Sequence, residues 1–570
     1  ITEILIFIYF IFDDDDITVN KDTKYVLDYH ESTKHSEISL MTSRHYLDLD
    51  NRPLPFKVYT DLLSYPLPLD FFQPALNAIT SISRIYPQTS ENAANDITKT
   101  DLNTKSLAEI LFFSGGITRE IKYPSNTYYM RAASATGALY PIELYIVCQD
   151  FADLKAGVYH FCPADFRLTQ IRTGDYRSEL AESAGDNQSI ITSPITIVFT
   201  SIAWRNAWKY QARSYRHWFW DSGVIASNLL ATTVSMGLPT RLIMGFVDDN
   251  VNNLLCLEDQ QEAAVVMAAI GIGLSKDPQP KEDKQIPYLP IPKIRPISKE
   301  SKIEYPEIWR VNQYSKLLNK EEVKNWINSI NNNNSSVADA YKQSSVQTKL
   351  LGKQSLLREQ HHSSSGPTLG EVILRRGSSR RFSRSPISHS VLSTILHSST
   401  IGIPMDIFRE DGYSLIDVYL IANDISGLTP GAYFFNRASD SLEQLKRNVS
   451  RNISGYLCLG QSLFSDASAV LFLMTDLQSV LKSLGNRGYR ASQFEAGVIA
   501  GKIYLAAYAQ QIGASGSTFF DDAVTEFFSP HANNKSTMIV VGIGIPAYKA
   551  NPGKILLPRL TKEQLLTENL

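Results

Sequence analysis

From about residue 102 onward, short apolar runs alternate with longer stretches whose apolar residues follow a helical spacing. The short runs are rich in β-branched and aromatic residues and predict buried strands at 143–147, 157–161, 195–200 and 265–272. The longer stretches predict helices at 106–113, 212–236 and 320–330. Strands that alternate with long helices indicate a layered α+β or α/β fold.

The same order of elements occurs twice. Residues 417–435 match residues 143–161 at a constant offset of 274. The offset also aligns Arg213, Tyr215, Arg216 and Asp221 with Arg487, Tyr489, Arg490 and Glu495. Because the arginines recur in both halves, they favour a packing role or a contact between the halves, with Asp221 and Glu495 as candidate partners.

These patterns divide the chain into four parts. Residues 1–70 are a polar lead-in with several prolines, 71–276 a first globular domain, 277–365 a linker rich in Pro, Asn and Ser, and 366–570 a second globular domain. Residues 1–12 are apolar but too short to span a bilayer, and they run into four aspartates. A cut targeting segment, a truncated start and a covered edge strand all fit this stretch.

Composition narrows the class of protein. The chain has 570 residues, 43% hydrophobic and 20% charged, with a net charge of −3, as in soluble globular proteins that have no general attraction to nucleic acid or membranes. The four cysteines are scattered without a CxxC, and the ten histidines form no HExxH, so we expect no metal. We expect a soluble protein of the cytoplasm or an organelle that is not secreted and has no membrane span.

One stretch, LRRGSSRRF at 374–382, concentrates positive charge and hydroxyl groups. In an extended chain Arg376, Ser378 and Arg380 would point to one side, where guanidinium and hydroxyl groups can bind a phosphate or another dianion. A solvated basic loop is the alternative interpretation.

Several motifs together resemble a known family. RRGSSRRF followed by a helix resembles the phosphate-binding signature of the nitroreductase flavoprotein fold. RAASATGALYPIELYIV (131–147) and WKYQARSYR (208–216) are similar to the SagB/ThcOx-type branch, which contains FMN-dependent dehydrogenases that oxidise azolines to azoles. The resemblance implies FMN and an α+β fold of two tandem nitroreductase-like domains that form an intramolecular pseudo-dimer.

In that family each FMN lies between two paired domains, so the resemblance assigns cofactor-binding residues to both halves. It implies a phosphate grip of Arg376, Ser378 and Arg380, and a flavin-covering loop that includes Ser134, Ala135, Thr136 and Gly137. Ser517 and Thr518 would lie near the ring, and Lys554 and Arg559 would complete the phosphate site.

Each half has kept only one of the two components. At the grip positions the first half has Glu91, Ala93 and Asn95, counted back from the following helix. At the loop position the second half has 408–415, with two acids and no proline. We therefore expect one FMN site built from both halves and a second site that has been lost.

The resemblance also places a catalytic Lys-Tyr pair at Lys209 and Tyr210, which the second half replaces with Ser483 and Leu484. Tyr210 could remove a proton if the Lys209 ammonium lowers its pKa, or Lys209 could itself be the base when it is desolvated. A surface lysine beside a half-buried tyrosine is the alternative. The tryptophans at 204, 208, 218 and 220 could form a substrate wall, the core, or a contact between halves.

Three functions remain open. The first is an FMN-dependent oxidoreductase that dehydrogenates an azoline in a peptide or similar natural product, with O2 reoxidising the flavin. The second is an NAD(P)H-dependent nitroreductase or ene-type reductase of small molecules. The third is a non-catalytic nitroreductase-like scaffold. A chain that pairs its own halves could be a monomer or a homodimer.

Overall fold

The computed structural model describes residues 19–84, 102–124, 127–276, 278, 286–300, 302–332, 355–356, 366–408, 413–555 and 557–567. Within these ranges no helix has the length and apolar character needed to cross a bilayer. Residues 1–12, for which we considered a targeting segment or an edge strand, lie outside the described ranges.

A seven-stranded antiparallel sheet forms the centre of the first half. Its strands, in chain order, are β1 (Ser64–Pro66), β4 (Ile142–Cys148), β5 (Gly157–Cys162), β6 (Arg167–Thr173), β7 (Ile195–Ile202), β8 (Thr240–Ile243) and β9 (Glu262–Ile270), and their order in space is β1-β6-β5-β4-β7-β9-β8. A separate hairpin joins β2 (Ile117–Lys122) to β3 (Thr127–Arg131). The four strands predicted from the sequence are β4, β5, β7 and β9.

A second seven-stranded sheet has the equivalent order. Its strands are β10 (Ser355–Leu356), β12 (Asp417–Ala422), β14 (Gly431–Asn436), β15 (Ser441–Arg447), β16 (Ala469–Thr475), β17 (Gly513–Ser517) and β18 (Ser536–Gly544), in the spatial order β10-β15-β14-β12-β16-β18-β17. Two short strands, β11 (Ile387–Ser388) and β13 (Ile425–Ser426), pair in parallel beside it. Each strand of one sheet therefore has a counterpart at the same place in the other.

Helices cover the sheets and connect the halves. Those up to residue 254 are α1 (Lys24–Ser32), α2 (Glu37–Thr42), α3 (Ala78–Ser83), α4 (Thr104–Gly115), α5 (Arg177–Ser183), α6 (Gln188–Ile191), α7 (Ala203–Tyr210), α8 (Ser214–Ser235) and α9 (Asp248–Leu254). The others are α10 (Pro306–Tyr314), α11 (Lys320–Asn332), α12 (Leu369–Arg375), α13 (His389–Thr400), α14 (Arg451–Leu457), α15 (Ser462–Asp466), α16 (Leu477–Leu484), α17 (Arg487–Ala509), α18 (Asp521–Phe528) and α19 (Lys562–Thr567). The helices predicted from the sequence correspond to α4, α8 and α11.

The two longest helices, α8 and α17, pack against each other and are buried along almost their whole length. A Cβ atom on Gly223 would lie 2.6 Å from the carbonyl oxygen of Phe494, and one on Gly497 would lie 2.7 Å from that of Trp220. Any side chain at either position would collide with the backbone of the other helix. The two glycines therefore allow the close approach of these helices.

The repeated arginines form ion pairs across the same interface. Each pair of arginines at the start of a long helix binds one aspartate in the opposite half. These contacts join Arg213 and Arg216 to Asp521, at 3.0 and 2.9 Å, and Arg487 and Arg490 to Asp248. The expectation of a packing role and a contact between halves is therefore confirmed.

The expected partners of these arginines were wrong. Asp221 instead accepts hydrogen bonds from Thr136, and Glu495 accepts them from Ser414 and the backbone N–H of Leu415. Asp221 lies five residues after Arg216, which places it about 140° around the helix on another face. Both carboxylates therefore hold the loop of their own half.

The lead-in and the linker are built into the contact between halves. In the lead-in, Asn20 Oδ1 accepts from the backbone N–H of Arg487 in the second half at 2.6 Å. In the linker, the carbonyl of Asn312 on α10 accepts from Arg490 at 2.7 Å. Both segments therefore add to the interface rather than merely joining domains.

The tryptophan cluster lies in the core and in the contact between halves. All four side chains are buried. Trp220 donates to Gln493 on α17 at 2.5 Å, and Trp218 packs edge-on against Trp309 on α10 at 5.4 Å. These contacts occupy the indole rings at 218 and 220 with other parts of the chain.

Candidate functional site

The basic stretch of the second half meets the loop of the first half. α12 ends at Arg375, and the next residue, Arg376, is 6% exposed. Its Nε and Nη2 donate to the carbonyl oxygens of Ala132 and Arg131, both at 2.9 Å. These carbonyls immediately precede the loop 134–141, so one guanidinium links the two predicted components across the halves.

The other two predicted grip residues lie further along the same stretch. Ser378 Oγ is 3.3 Å from the hydroxyl oxygen of Tyr504, which accepts from the backbone N–H of Gly516 at 2.5 Å. The side chain of Arg380 is exposed, and its backbone N–H donates to the Tyr548 hydroxyl at 3.0 Å. The grip is therefore joined through Tyr504 to the end of β17.

Ser517 and Thr518 follow Gly516 at that end. Ser517 Oγ accepts from Gln461 at 2.8 Å. Thr518 Oγ1 is buried and has no hydrogen-bond partner among the described residues. A buried hydroxyl without a partner is costly unless a ligand or water bonds it.

Lys554 and Arg559 belong to the chain after β18, which crosses to the first half. The backbone N–H of Lys554 donates to the carbonyl of Thr118 at 2.8 Å, and its side chain is exposed. Arg559 donates to the carbonyls of Thr118 and Lys554, at 3.5 and 3.2 Å. Both residues therefore lie beside β2, and the hydrogen bonds of Arg559 go to backbone carbonyl oxygens.

The loop of the first half is held in place by one carboxylate. Both the backbone N–H and the hydroxyl of Thr136 donate to Asp221 Oδ1, at 2.9 and 2.7 Å, and Asn206 donates to Oδ2 at 3.3 Å. Burial raises the pKa of Asp221 to about 7. Ser134 and Ala135, directly before this anchor, are half-buried and line a small cavity that Asp221 also borders.

Gly137 is the point at which the loop approaches Tyr210 of the Lys-Tyr pair. Its φ is +63°, and a Cβ atom there would lie 2.7 Å from the Tyr210 hydroxyl. Both the left-handed backbone and the lack of space favour glycine. The phenol of Tyr210 is therefore in contact with the loop, and its ring packs edge-on against His217 at 4.6 Å.

Lys209 and Tyr210 end α7, and the Lys209 ammonium lies 5.4 Å from the Tyr210 ring centroid. Burial, with a smaller effect of Asp221, raises the pKa of Tyr210, which disfavours Tyr210 as the base of the two candidates. Burial lowers the pKa of Lys209, and the charges of Arg380 and Arg52 lower it further. The charge of Arg380 therefore acts on Lys209 across the two halves.

Two further cations join this site without having been predicted. Arg119 in β2 donates to the carbonyls of Leu374 and Arg375, at 3.1 and 2.9 Å, and burial together with the charge of Arg376 lowers its pKa. Arg52, in the lead-in, stacks on Tyr128 at 4.5 Å. Neither stands in a motif, so only their positions in the fold reveal them.

The cations of this candidate site have no carboxylate partner among the residues that the structure describes. In the described part of the chain, none of the five is ion-paired with a carboxylate: Arg52, Arg119, Lys209, Arg376 and Arg380. An excess of guanidinium and ammonium groups of this kind fits a phosphate. With the partnerless hydroxyl of Thr518, the donor set is suited to a phosphorylated cofactor.

The counterparts of Gly516 and Tyr210 at the offset of 274, Leu242 and Leu484, contact other parts of the chain. The backbone N–H of Leu242 in β8 donates to the carbonyl of Pro404 at 2.7 Å, and its carbonyl accepts from Asp406 at 2.9 Å. Met405 between them is completely buried. Trp326 of α11 donates to the carbonyl of Leu484, which is the counterpart of Tyr210, at 2.8 Å.

Some of the grip and loop residues that we compared between the halves lie outside the described ranges. Glu91, Ala93 and Asn95 lie there, as do residues 409–412 of the second loop. Asn77 caps α3, Thr368 caps α12, and these two residues form a β-bridge with each other. If the grip positions are counted from these two helices instead, the first-half counterparts of Arg376, Ser378 and Arg380 become residues 85, 87 and 89. Those residues are Ile, Pro and Thr, again without a cation.

Comparisons with known proteins find similarity mainly in the first half of the chain. Residues 98–273 match the nitroreductase family. A Methanocaldococcus jannaschii protein named as a nitroreductase is 26% identical over 158 residues, which are 28% of this chain and 76% of its own length. The microcin B17-processing protein McbC of Escherichia coli is 24% identical over 205 residues, 35% of this chain and 74% of its own.

One solved structure matches nearly the whole chain. It is a protein from Anabaena variabilis named as a nitroreductase, with 22% identity and a TM-score of 0.69, and the match covers 92% of this chain and 99% of that one. At this identity the similarity concerns the fold. The chain has a mixed helix and sheet, nitroreductase-like fold, and its residues 98–273 match the nitroreductase family.

Proposed function

We propose that the chain is an FMN-dependent oxidoreductase with one flavin site built from both halves. The observation that carries this proposal is the meeting of Arg376 with the carbonyls of Arg131 and Ala132. It brings the cations of one half against the loop and the Lys-Tyr pair of the other. Residues 71–276 and 366–570 would then be two nitroreductase-like domains paired within one chain, and the equivalent orders of the two sheets support this.

The residues of the site suit FMN in three places. Arg376, Ser378 and Arg380 would hold the phosphate, with Arg119 as an additional cation and Lys554 and Arg559 nearby. Ser134, Ala135, Thr136 and Gly137 would cover the ring from the first half, and Ser517 and Thr518 would border it from the second. Bound FMN would supply a two-electron acceptor for hydride.

The reaction we propose is dehydrogenation of an azoline ring in a peptide or similar natural product. Lys209 would take a proton from one ring carbon through its neutral amine, and the lowered pKa of Lys209 supports this role. Tyr210 would stay protonated, because its pKa is raised, and its phenol would donate a hydrogen bond. The similarity to a protein named as processing microcin B17 supports a peptide substrate.

A second candidate is an NAD(P)H-dependent reductase of small electron-poor molecules. Similarity to a protein named as a nitroreductase favours it. The two reactions differ in the direction of electron flow. Rapid bleaching of the bound flavin by NADPH under nitrogen would support the reductase, whereas bleaching only by an azoline peptide would support the dehydrogenase.

The flavin content tests the proposal directly. FMN released by denaturing the purified protein should amount to one molecule per chain, because the other composite position is filled by residues 404–406 and α11. A ratio of two would refute the single site. Protein that is colourless and takes up no added FMN would refute both enzyme functions and support a non-catalytic scaffold.

Arginine variants test where the phosphate binds. Arg376→Ala combined with Arg380→Ala removes two charge-assisted contacts and should weaken FMN binding by about 100-fold or more. Arg381→Ala is the matched control, because it removes an exposed charge from the same stretch and should retain FMN. Normal FMN occupancy in the double variant would mean that the phosphate is held elsewhere.

A further inference from the structure

One face of helix α8 contacts both the loop of the first half and the phenol of Tyr210. His217 and Asp221 lie four residues apart in α8, so their side chains are neighbours on this face. Asp221 accepts hydrogen bonds from Thr136 of the loop at 2.9 and 2.7 Å. The centroid of the His217 ring lies 4.6 Å from that of the Tyr210 ring, with the two planes at 84°. The same face therefore holds the loop and supports the tyrosine that the loop approaches.

The imidazole is itself held from the second half. His217 is 2% exposed, and its ring packs against the indole of Trp220 with the centroids 4.8 Å apart. Trp220 donates a hydrogen bond to Gln493 of α17 at 2.5 Å. A continuous line of contacts thus runs from α17 through Trp220 and His217 to Tyr210.

His217 meets Tyr210 as an uncharged ring. Burial, together with the charges of Arg213 and Arg216, lowers the pKa of His217 well below its usual value. The imidazole is therefore neutral at pH 7. The two rings meet in the T-shaped arrangement that aromatic pairs prefer, so the contact fixes the orientation of the phenol by packing.

The imidazole occurs in the same half as the Lys-Tyr pair. At the offset of 274, His217 is matched by Ala491 and Tyr210 by Leu484. The two arginines that precede His217 in the chain, by contrast, recur in the second half. The half that lacks the phenol therefore also lacks the imidazole, although it keeps the arginines. This difference favours a role tied to Tyr210 over a role in general packing.

We propose that His217 is a positioning residue that keeps the Tyr210 phenol aimed at the substrate ring. The inference rests on the proposed function, in which this phenol donates a hydrogen bond during the dehydrogenation. Tyr210 is the last residue of α7, so no later turn of that helix packs beside its ring. Without the imidazole the ring would be free to rotate away, and a misplacement of about 1 Å can cost about 100-fold in rate.

Turnover of an azoline peptide tests this role in a double-mutant cycle. His217→Ala should lower kcat by at least about 10-fold while KM and the FMN-to-chain ratio change little. His217→Phe, which restores a planar ring without nitrogen atoms, should return kcat to within about 3-fold of the wild type. In a Tyr210→Phe background, which has no hydroxyl to position, His217→Ala should change kcat by less than about 2-fold. An equal loss of kcat in both backgrounds, or a kcat in His217→Phe as low as in His217→Ala, would overturn the proposal.

Urea unfolding tests the contact itself without turnover. His217→Ala and Tyr210→Ala should each lower the unfolding midpoint, and the double variant should lose less than the sum, because both changes remove the same ring contact. If His217→Ala fails to fold, His217→Gln removes the ring while keeping much of the volume and takes its place in both cycles.

His531→Ala is the matched control. His531 is a half-buried imidazole that packs edge-on against Tyr419 in the second half, with the centroids 5.5 Å apart. Its removal should lower the midpoint additively with Tyr210→Ala and leave kcat unchanged. Additive midpoints in the His217 cycle would overturn the inference alone. A wild type that oxidises no azoline peptide would refute the proposed function, and the urea cycle would still decide whether His217 holds Tyr210.

Discussion

Substitution of Asp521 by asparagine removes the single anion that serves two buried arginines. Asp521 is 3% exposed and accepts from Arg213 at 3.0 Å and from Arg216 at 2.9 Å. It also accepts from the backbone N–H of His35 at 2.8 Å. Asp521→Asn keeps the shape and part of the hydrogen bonding but leaves two guanidinium groups buried at the contact between halves without an anion.

The structure gives the size of this effect. Arg213 and Arg216 overcome the burial of Asp521 and lower its pKa from 3.8 to about 2, which corresponds to about 2 kcal/mol of differential stabilisation. Loss of one partner from a buried ion pair costs about 3–5 kcal/mol, because the remaining charge is uncompensated. Since two arginines lose their anion, we expect Asp521→Asn to lower the free energy of unfolding by about 4 kcal/mol.

Urea unfolding at pH 7 followed by tryptophan fluorescence measures this loss. Asp522→Asn is the matched control, because the side chain of Asp522 is 79% exposed and pairs only with Lys34, so its removal should change stability by at most about 1 kcal/mol. The stabilisation by Asp521 is fully present above pH 4 and should be lost as the pH falls toward 2. If Asp521→Asn unfolds at the same urea concentration as Asp522→Asn, the reciprocal ion pairs do not hold the halves together.

Three further changes probe the proposed site. Lys209→Ala should keep bound FMN but lower turnover by at least about 100-fold, and full activity would remove Lys209 from the mechanism. In the wild type, kcat should rise with pH through the lowered pKa of Lys209, because the base acts when neutral, and this rise should vanish in Lys209→Ala. Gly137→Val strains a backbone with positive φ and collides with Tyr210, so steady-state assays should show reduced turnover, whereas Gly273→Val, with positive φ but open space, should retain it. Trp326→Ala should lower the free energy of urea unfolding by about 3–5 kcal/mol and leave the FMN-to-chain ratio unchanged.

The regular elements of both halves could be predicted because their apolar patterns are strong. β4, β7 and β9 are buried at every position, so their sequences are mostly apolar with few polar residues. The hairpin β2–β3 was missed because its strands are half-exposed and mixed in polarity. Helix α10 was missed in the proline-rich linker, although Pro306 stands at its first turn, where proline is well tolerated.

The site could be predicted only as far as its residues belong to motifs. The grip at Arg376 and the loop at Gly137 are local patterns, and the resemblance, with each half lacking the other component, predicts that they belong to one site. Arg52 and Arg119 lie near the candidate site only because the lead-in and the hairpin β2–β3 fold back beside the grip. No local sequence pattern reveals this. The sequence left open whether Tyr210 or Lys209 is the base, because it shows that the two are neighbours but not the burial of Tyr210 beside Gly137 or its proximity to Asp221, which raise its pKa.

The packing of α8 against α17 has a consequence for how the protein responds to dilution. A site shared by two separate subunits is lost when their concentration falls below their dissociation constant. Here both helices belong to the same chain, so they meet at an effective concentration set by the connecting segment, typically about millimolar for flexible tethers. Activity per chain should therefore stay constant from micromolar down to nanomolar protein, and the two unequal halves are always made in a one-to-one ratio.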